Sequence, residues 1–154
     1  MSSEYYKNLP KKRMGVGTLI FNEKDEILIV KPSYKDHWST VGGVIDENES
    51  PQVACKREVK EEIGIDLKEV KFLCVDYTSN GGERGESLQF IFFGGKLNKN
   101  EIKNIKLDGK EIVEYKFIKI NGALPLLSEK LRIRLPKCLD ALKNNTAIYL
   151  EDGK

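Results

Sequence analysis

A chain of 154 residues is long enough to bury about 70% of the surface that its unfolded form exposes, so it needs no disulfide or metal staple to fold. Hydrophobic residues make up 40% and charged residues 32%, an ordinary globular balance, and the net charge is only +2. No stretch of about 20 apolar residues and no secretory leader pattern occurs, which argues against membrane insertion and export.

In chain order, Gly15 to Asn22 and Ile27 to Lys31 read as strands separated by the turn-like Glu23-Lys24-Asp25, followed by a loop carrying Tyr34, His37 and Trp38. The next segment, GGVIDENESPQVACKREVKEEIGI from Gly42 to Ile65, contains a helix with clear punctuation. Ser50 suits the N-cap, Pro51 suits the first helical position, and Gly64 can take the left-handed conformation that ends the helix. Cys55, Val59 and Ile63 recur every four residues as the stripe to be buried.

Glu58, Glu61 and Glu62 share the bordering face, which is expected to be anchored yet open to water. Each like-charged pair at this spacing costs an isolated helix roughly 0.2 to 0.5 kcal/mol, which a bound cation would offset. Carboxylate oxygens suit the hard ions Mg²⁺ or Mn²⁺ better than zinc.

Beyond the helix, Val70 to Thr78 and Ser87 to Leu97 are β-rich runs joined by the polar loop SNGGERGE, and Glu114 to Ile120 reads as a further strand. Leu126 to Asn144 has helical periodicity with an interruption or kink near Pro136, and Ala147 to Leu150 reads as a short terminal strand. Such an order gives an α/β or α+β class. With no internal repeat or linker, residues 1–154 read as one domain.

Gly43, Glu49, the pair Arg57-Glu58, Val59, the pair Glu61-Glu62, Ile63, Gly64 and Ile65 stand at the spacing of a complete Nudix box, and the chain resembles the Nudix hydrolases. The resemblance is specific over the box and looser over Met14 to Leu142. It implies an α/β/α sandwich with a mixed β-sheet between helices. It also implies that Glu58 and Glu62 bind a divalent metal together with the Gly43 carbonyl, and that Glu61 is a further ligand or the water-activating base. Glu49 would meet Arg57 across the loop–helix turn and hold the backbone that presents the carbonyl. Glu111, in DGKEIVEYKFI, is held in reserve as the base, with Glu114 as its rival. Family members commonly carry a Leu-Pro pair before the double glycine. Here Thr40-Val41 stands in that place, which bears on loop stiffness and not on ligand atoms.

The implied chemistry is metal-dependent hydrolysis of the pyrophosphate bond in a nucleoside diphosphate linked to another moiety. Nucleoside triphosphates, oxidised ones included, and nucleotide sugars such as ADP-ribose all qualify. The alternative is a non-catalytic nucleotide sensor or interaction module on the same fold, although such domains typically lose box acids and this chain has all of them. An isoprenoid-diphosphate isomerase would need several histidines, and His37 is the only one.

The acids crowded into the box require basic residues elsewhere, and Lys31 and Arg13 are candidate phosphate contacts, with a solvated surface role equally open for each. Tyr34, Trp38, Tyr77 and Phe90 are positioned for base recognition, with core packing the stronger expectation for Trp38 and Phe90 and exposure for Tyr34. No basic stripe with interleaved aromatics marks a nucleic-acid surface. Cys55, Cys74 and Cys138 form no CxxC pair and are odd in number, which fits a reducing cytoplasm. The resemblance further implies a possible homodimer.

Overall fold

β1 (Arg13–Asn22) and β2 (Ile27–Pro32) are joined by a tight turn in which the Asn22 side chain accepts the Lys24 and Glu26 N–H groups and Asp25 takes a left-handed φ of 59°. The computed structural model describes residues 2–79 and 82–154. Asn80 and Gly81 of the predicted glycine-rich loop lie outside the described residues. The remaining elements are α1 (Ser3–Lys7), β3 (Val41–Val44), α2 (Pro51–Ile63), β4 (Lys71–Thr78), β5 (Ser87–Leu97), α3 (Lys99–Lys103), β6 (Ile112–Ile118), α4 (Ile120–Ala123), α5 (Glu129–Lys143) and β7 (Ile148–Glu151).

The strands form one seven-stranded mixed sheet in the order β6-β2-β1-β5-β4-β7, with β3 also paired to β1. Alternation along the central strands sorts side chains to two faces. Leu19, Phe21, Ile27 and Ile29 meet Leu135 and Cys138 of α5 on one side. Ile20, Leu28 and Val30 meet Val59 and Ile63 of α2 on the other. This is the α/β/α sandwich that the box implied. Among the described residues no helix is long and apolar enough to cross a membrane.

The sequence reading missed β3, and its sequence VGGV shows why: two glycines carry little β-propensity. Its pairing with Gly15–Thr18 supplies the stiffness that a Leu-Pro pair would have contributed, and Val41 is fully buried. The β6 strand begins and ends two residues earlier than predicted, its end being set by Ile120, which opens α4. Helix α5 begins at Glu129, capped by Ser128, and runs unbroken through Pro136. Pro136 forfeits only the bond its N–H would give Arg132, while Leu135, Cys138 and Ala141 hold the helix against the sheet from either side.

Candidate active site

Helix α2 forms as its caps dictate: the Ser50 hydroxyl accepts the Val53 N–H at 3.1 Å, and Gly64, at φ 74°, donates its N–H to Lys60 at 3.0 Å. Its three box acids do not share one environment. Glu58 is 9% and Glu62 5% exposed, whereas the Glu61 side chain is 58% exposed. The expectation of three acids facing open water therefore holds only for Glu61. The sheet wraps far enough around Val59 to cover the carboxylates on either side of it.

Arg57 organises the box. Its Nε and Nη2 donate to both oxygens of Glu49 at 2.6 and 2.9 Å, and Nη2 also donates to the Val44 carbonyl at 3.0 Å. Nη1 donates to Glu58 at 3.0 Å and Glu61 at 3.1 Å. The Glu49 carboxylate in turn accepts the Asp46 N–H at 3.0 Å. The two-pronged contact with Arg57 and that backbone bond hold the Glu49 carboxyl down at about 2. One guanidinium thus ties the loop after β3 to α2.

Gly42 and Gly43 are required by close approach. A Cβ on Gly43 would overlap the Glu58 carboxylate, and one on Gly42 would overlap the Val16 carbonyl. The Gly42 N–H donates to Glu62 at 2.6 Å. Burial pushes the Glu62 carboxyl up to about 8 despite that bond, helped by the negative charges of Glu58, Glu111 and Asp108. Burial likewise raises Glu58, with Arg57 opposing and Glu61 and Glu111 adding to the rise.

Among the described residues no three acidic, His or Cys side chains converge as a ready-made metal cage. Arg57 draws Glu58 and Glu61 toward itself, and Glu62 turns to the Gly42 amide. The donor chemistry nevertheless fits a divalent cation. Two buried carboxylates lie beside the Gly43 backbone with less positive charge than they need, all the donors are oxygen, and neither His nor Cys competes.

Glu62, Gly42 and Gly43 line one end of a cleft of about 310 Å³. Tyr34, 70% exposed, also lines it, and its phenol is raised first by partial burial and then by Glu111, Glu62 and Glu58. Glu111 is therefore close enough to both buried acids to act on them. Glu114 instead pairs with Lys31 in the β2–β6 register. Neither Lys31 nor Arg13 lines the cleft: the Lys31 ammonium donates to the Pro32 and Lys35 carbonyls, and Arg13 donates to the Arg84 carbonyl at 3.4 Å. Trp38 packs against the core with Lys116 over its ring at 4.5 Å, and Phe90 packs beside α2.

Three features escaped the sequence reading. Asp108 accepts the Lys110 and Ile112 N–H groups at 3.0 Å each, shaping the turn that presents Glu111; the DG pair was its signal. Arg134 is buried and donates to Asp76 at 2.7 Å, a pairing foreshadowed by an arginine within the apolar stripe of α5 and an acid on the inward face of β4. His37 Nδ1 is the buried side-chain nitrogen or oxygen that lacks a partner among the described residues, and no sequence pattern announced it.

Known proteins resemble this chain in sequence and in fold. The NUDIX domain family model matches residues 11–142. An RNA pyrophosphohydrolase of Hydrogenovibrio crunogenus is 39% identical over 61 residues, covering 40% of this chain and 37% of the relative. An 8-oxo-dGDP phosphatase of Danio rerio is 40% identical over 90 residues, covering 53% of this chain and 26% of the relative. The chain thus spans little more than a third, at most, of the length of these two relatives. Among solved structures, a UDP-X diphosphatase superposes with a TM-score of 0.77 at 22% identity, covering 97% of this chain and 75% of the other. The MutT protein from Methanosarcina mazei Go1 gives 0.70 at 24%, covering 90% and 99%. The NUDIX domain of Shewanella oneidensis NrtR, complexed with ADP ribose, gives 0.71 at 18%, covering 94% and 99%. At these identities the structural matches establish the fold.

Proposed function

The chain belongs to the Nudix family, and from that premise we propose that it is a divalent-metal-dependent pyrophosphohydrolase acting on a nucleoside diphosphate linked to another moiety. The observation that carries this reading is the buried pair Glu58, against Gly43, and Glu62, bonded to Gly42 in the cleft lining, with burial raising both carboxyls. The names of its relatives point toward nucleotides: an RNA pyrophosphohydrolase, an 8-oxo-dGDP phosphatase and a domain solved with ADP ribose.

Glu58, Glu62 and the Gly43 carbonyl would hold Mg²⁺ or Mn²⁺, with Glu61 as an additional oxygen donor at the exposed rim. Bound there, the ion neutralises phosphate oxygens and makes phosphorus a better electrophile. Arg57 keeps Glu58 oriented and clamps the loop that carries the carbonyl. Glu111 is the better placed acid to take a proton from the attacking water. Glu61 is engaged by Arg57, whereas Glu111 is near enough to add its charge to both buried acids and follows a turn fixed by Asp108. Tyr34 also lines the cleft and feels the charges of Glu111, Glu62 and Glu58.

Release of phosphate from a panel of nucleoside triphosphates and nucleotide sugars, measured with Mg²⁺ or Mn²⁺ and a coupled phosphatase, tests the proposal. Glu58→Gln and Glu62→Gln should each abolish most turnover, exceeding the about 10- to 100-fold loss typical of an outer-shell partner, while the circular dichroism spectrum is retained. Unchanged turnover in both variants would overturn the assigned ligands. Tight nucleotide binding without hydrolysis across the panel would favour the sensor alternative.

A further inference from the structure

The cleft is chemically lopsided. Among the described residues Glu62 is the one carboxylate in its lining, against four cations: Lys35, whose ammonium stands 5.5 Å from the Tyr34 ring centre, Arg84, Lys130 and Arg134. Among the described residues none of Lys35, Arg84 and Lys130 forms an ion pair. Lys130 lies within range of Asp152 and helps keep that carboxyl low, but Asp152 is already bonded to the Ser79 N–H at 2.8 Å.

Arg134 gives these cations a fixed point. It is 6% exposed, its Nε donates to Asp76 at 2.7 Å, and Nη2 reaches Thr78 at 3.5 Å. The second Asp76 oxygen accepts the Gly153 N–H at 3.1 Å, so the acid is satisfied on both sides and cannot swing away. Among the described residues Nη1 has no hydrogen-bond partner and is not fully buried, and Arg134 lines the cleft. The guanidinium is held through Nε and Nη2, which leaves Nη1 as its unbonded nitrogen.

Lys130 stands one turn before Arg134 on the same face of α5, and Ser128, the N-cap of that 15-residue helix, lines the cleft beside them. The positive end of the helix therefore adds to the side-chain charges. Arg84 approaches from the opposite wall, near enough to Tyr34 for its charge to act on the phenol.

We propose that the α5 end of the cleft is a second anion subsite, which takes phosphate groups lying beyond the diphosphate held at the box end. This rests on the pyrophosphohydrolase reading of the cleft and narrows it. The favoured substrates carry an extended chain of three or more phosphates, and two-phosphate nucleotide sugars are poorer. A neutral sugar or base cannot answer the Arg84, Lys130 and Arg134 charges, whereas a phosphate does.

Binding of inorganic tripolyphosphate, pyrophosphate and orthophosphate to the intact protein, measured by calorimetry in chelator, tests the subsite without involving the metal. Affinity should rise with chain length and fall with added salt. Lys130→Ala and Arg84→Ala should each weaken tripolyphosphate binding about fivefold, and the double reversal Lys130→Glu/Arg84→Glu should weaken it further. Lys143→Ala, on the far end of α5, should change nothing. In the metal-loaded protein the same two alanine variants should raise KM for a nucleoside triphosphate and leave KM for ADP-ribose unchanged. Equal affinity for the three inorganic anions, or an unaltered tripolyphosphate affinity in the double reversal, would overturn the subsite. Those results would leave the hydrolase proposal standing, because that proposal fails only on absent turnover.

Discussion

Two buried charge clusters stand at the cleft, Arg134 with Asp76 and Glu62 with Glu58, and they differ in how far their charge is met within the protein. Asp76 and Arg134 are 1% and 6% exposed and pair with each other, and Asp76 is bonded at both oxygens. At the box end Glu58 and Glu62 are nearly as buried, but among the described residues Arg57 is the cation that bonds Glu58, it also serves Glu49 and Glu61, and Glu62 forms no ion pair. Burial of charge alone is thus no sign of a ligand site. A shortage of compensating charge is.

The sharpest break of this contrast is at the box end, where Glu58→Gln and Glu62→Gln should remove most turnover while leaving the fold intact. Glu62→Gln should in addition raise the melting temperature of the metal-free protein, because it removes an acid that pays for its ionisation by desolvation. A lower melting temperature would mean that the carboxylate is already compensated.

Glu111→Gln should lower kcat by about 10²- to 10⁴-fold with little change in melting temperature, as expected of a proton acceptor, while Glu114→Gln should be close to wild type. The reverse ranking in single-turnover kinetics would reassign the base.

At the other end the readout is stability. Asp76→Ala leaves the Arg134 guanidinium buried and unpaired, and should cost about 3 to 5 kcal/mol in urea denaturation. A cost below about 1 kcal/mol would show that water reaches the pair, which would erase the difference between the two clusters.

The last test is the pH response of the same buried acid. The Glu62 carboxyl sits at about 8 in the folded chain against an ordinary 4.5, so the folded state holds an extra proton between those values. In chelator this group's contribution is complete below about pH 4.5 and is lost as pH rises toward about 8. Saturating Mg²⁺ should flatten that decline. Chemical denaturation at intervals across the window measures it, and a slope unaffected by Glu62→Gln would assign it to another group.

Much of the box could be read directly from the chain because its logic is local. Ser50, Pro51 and Gly64 set the limits of α2, and Glu49 and Arg57 are near neighbours across one turn. The α5 cluster was not legible in the same way, since Asp76 and Arg134 are 58 residues apart and meet only when α5 packs on β4. β3 was hidden because VGGV is a strand by partnership with β1 and not by propensity. Asp108 left a turn signal, but nothing in DGKE says that the turn brings Glu111 and Asp108 within electrostatic range of Glu62.

The amino-acid order by itself determined a capped helix with Glu58, Glu61 and Glu62 at i, i+3 and i+4, because caps and helical period act over one or two turns. Only the tertiary structure decided that Glu58 and Glu62 are buried, that Glu61 is not, and that Lys130 and Arg134 share their cleft. Desolvation and the summed field of neighbouring charges are set by surfaces from strands and helices far apart in the chain, and no local pattern carries them.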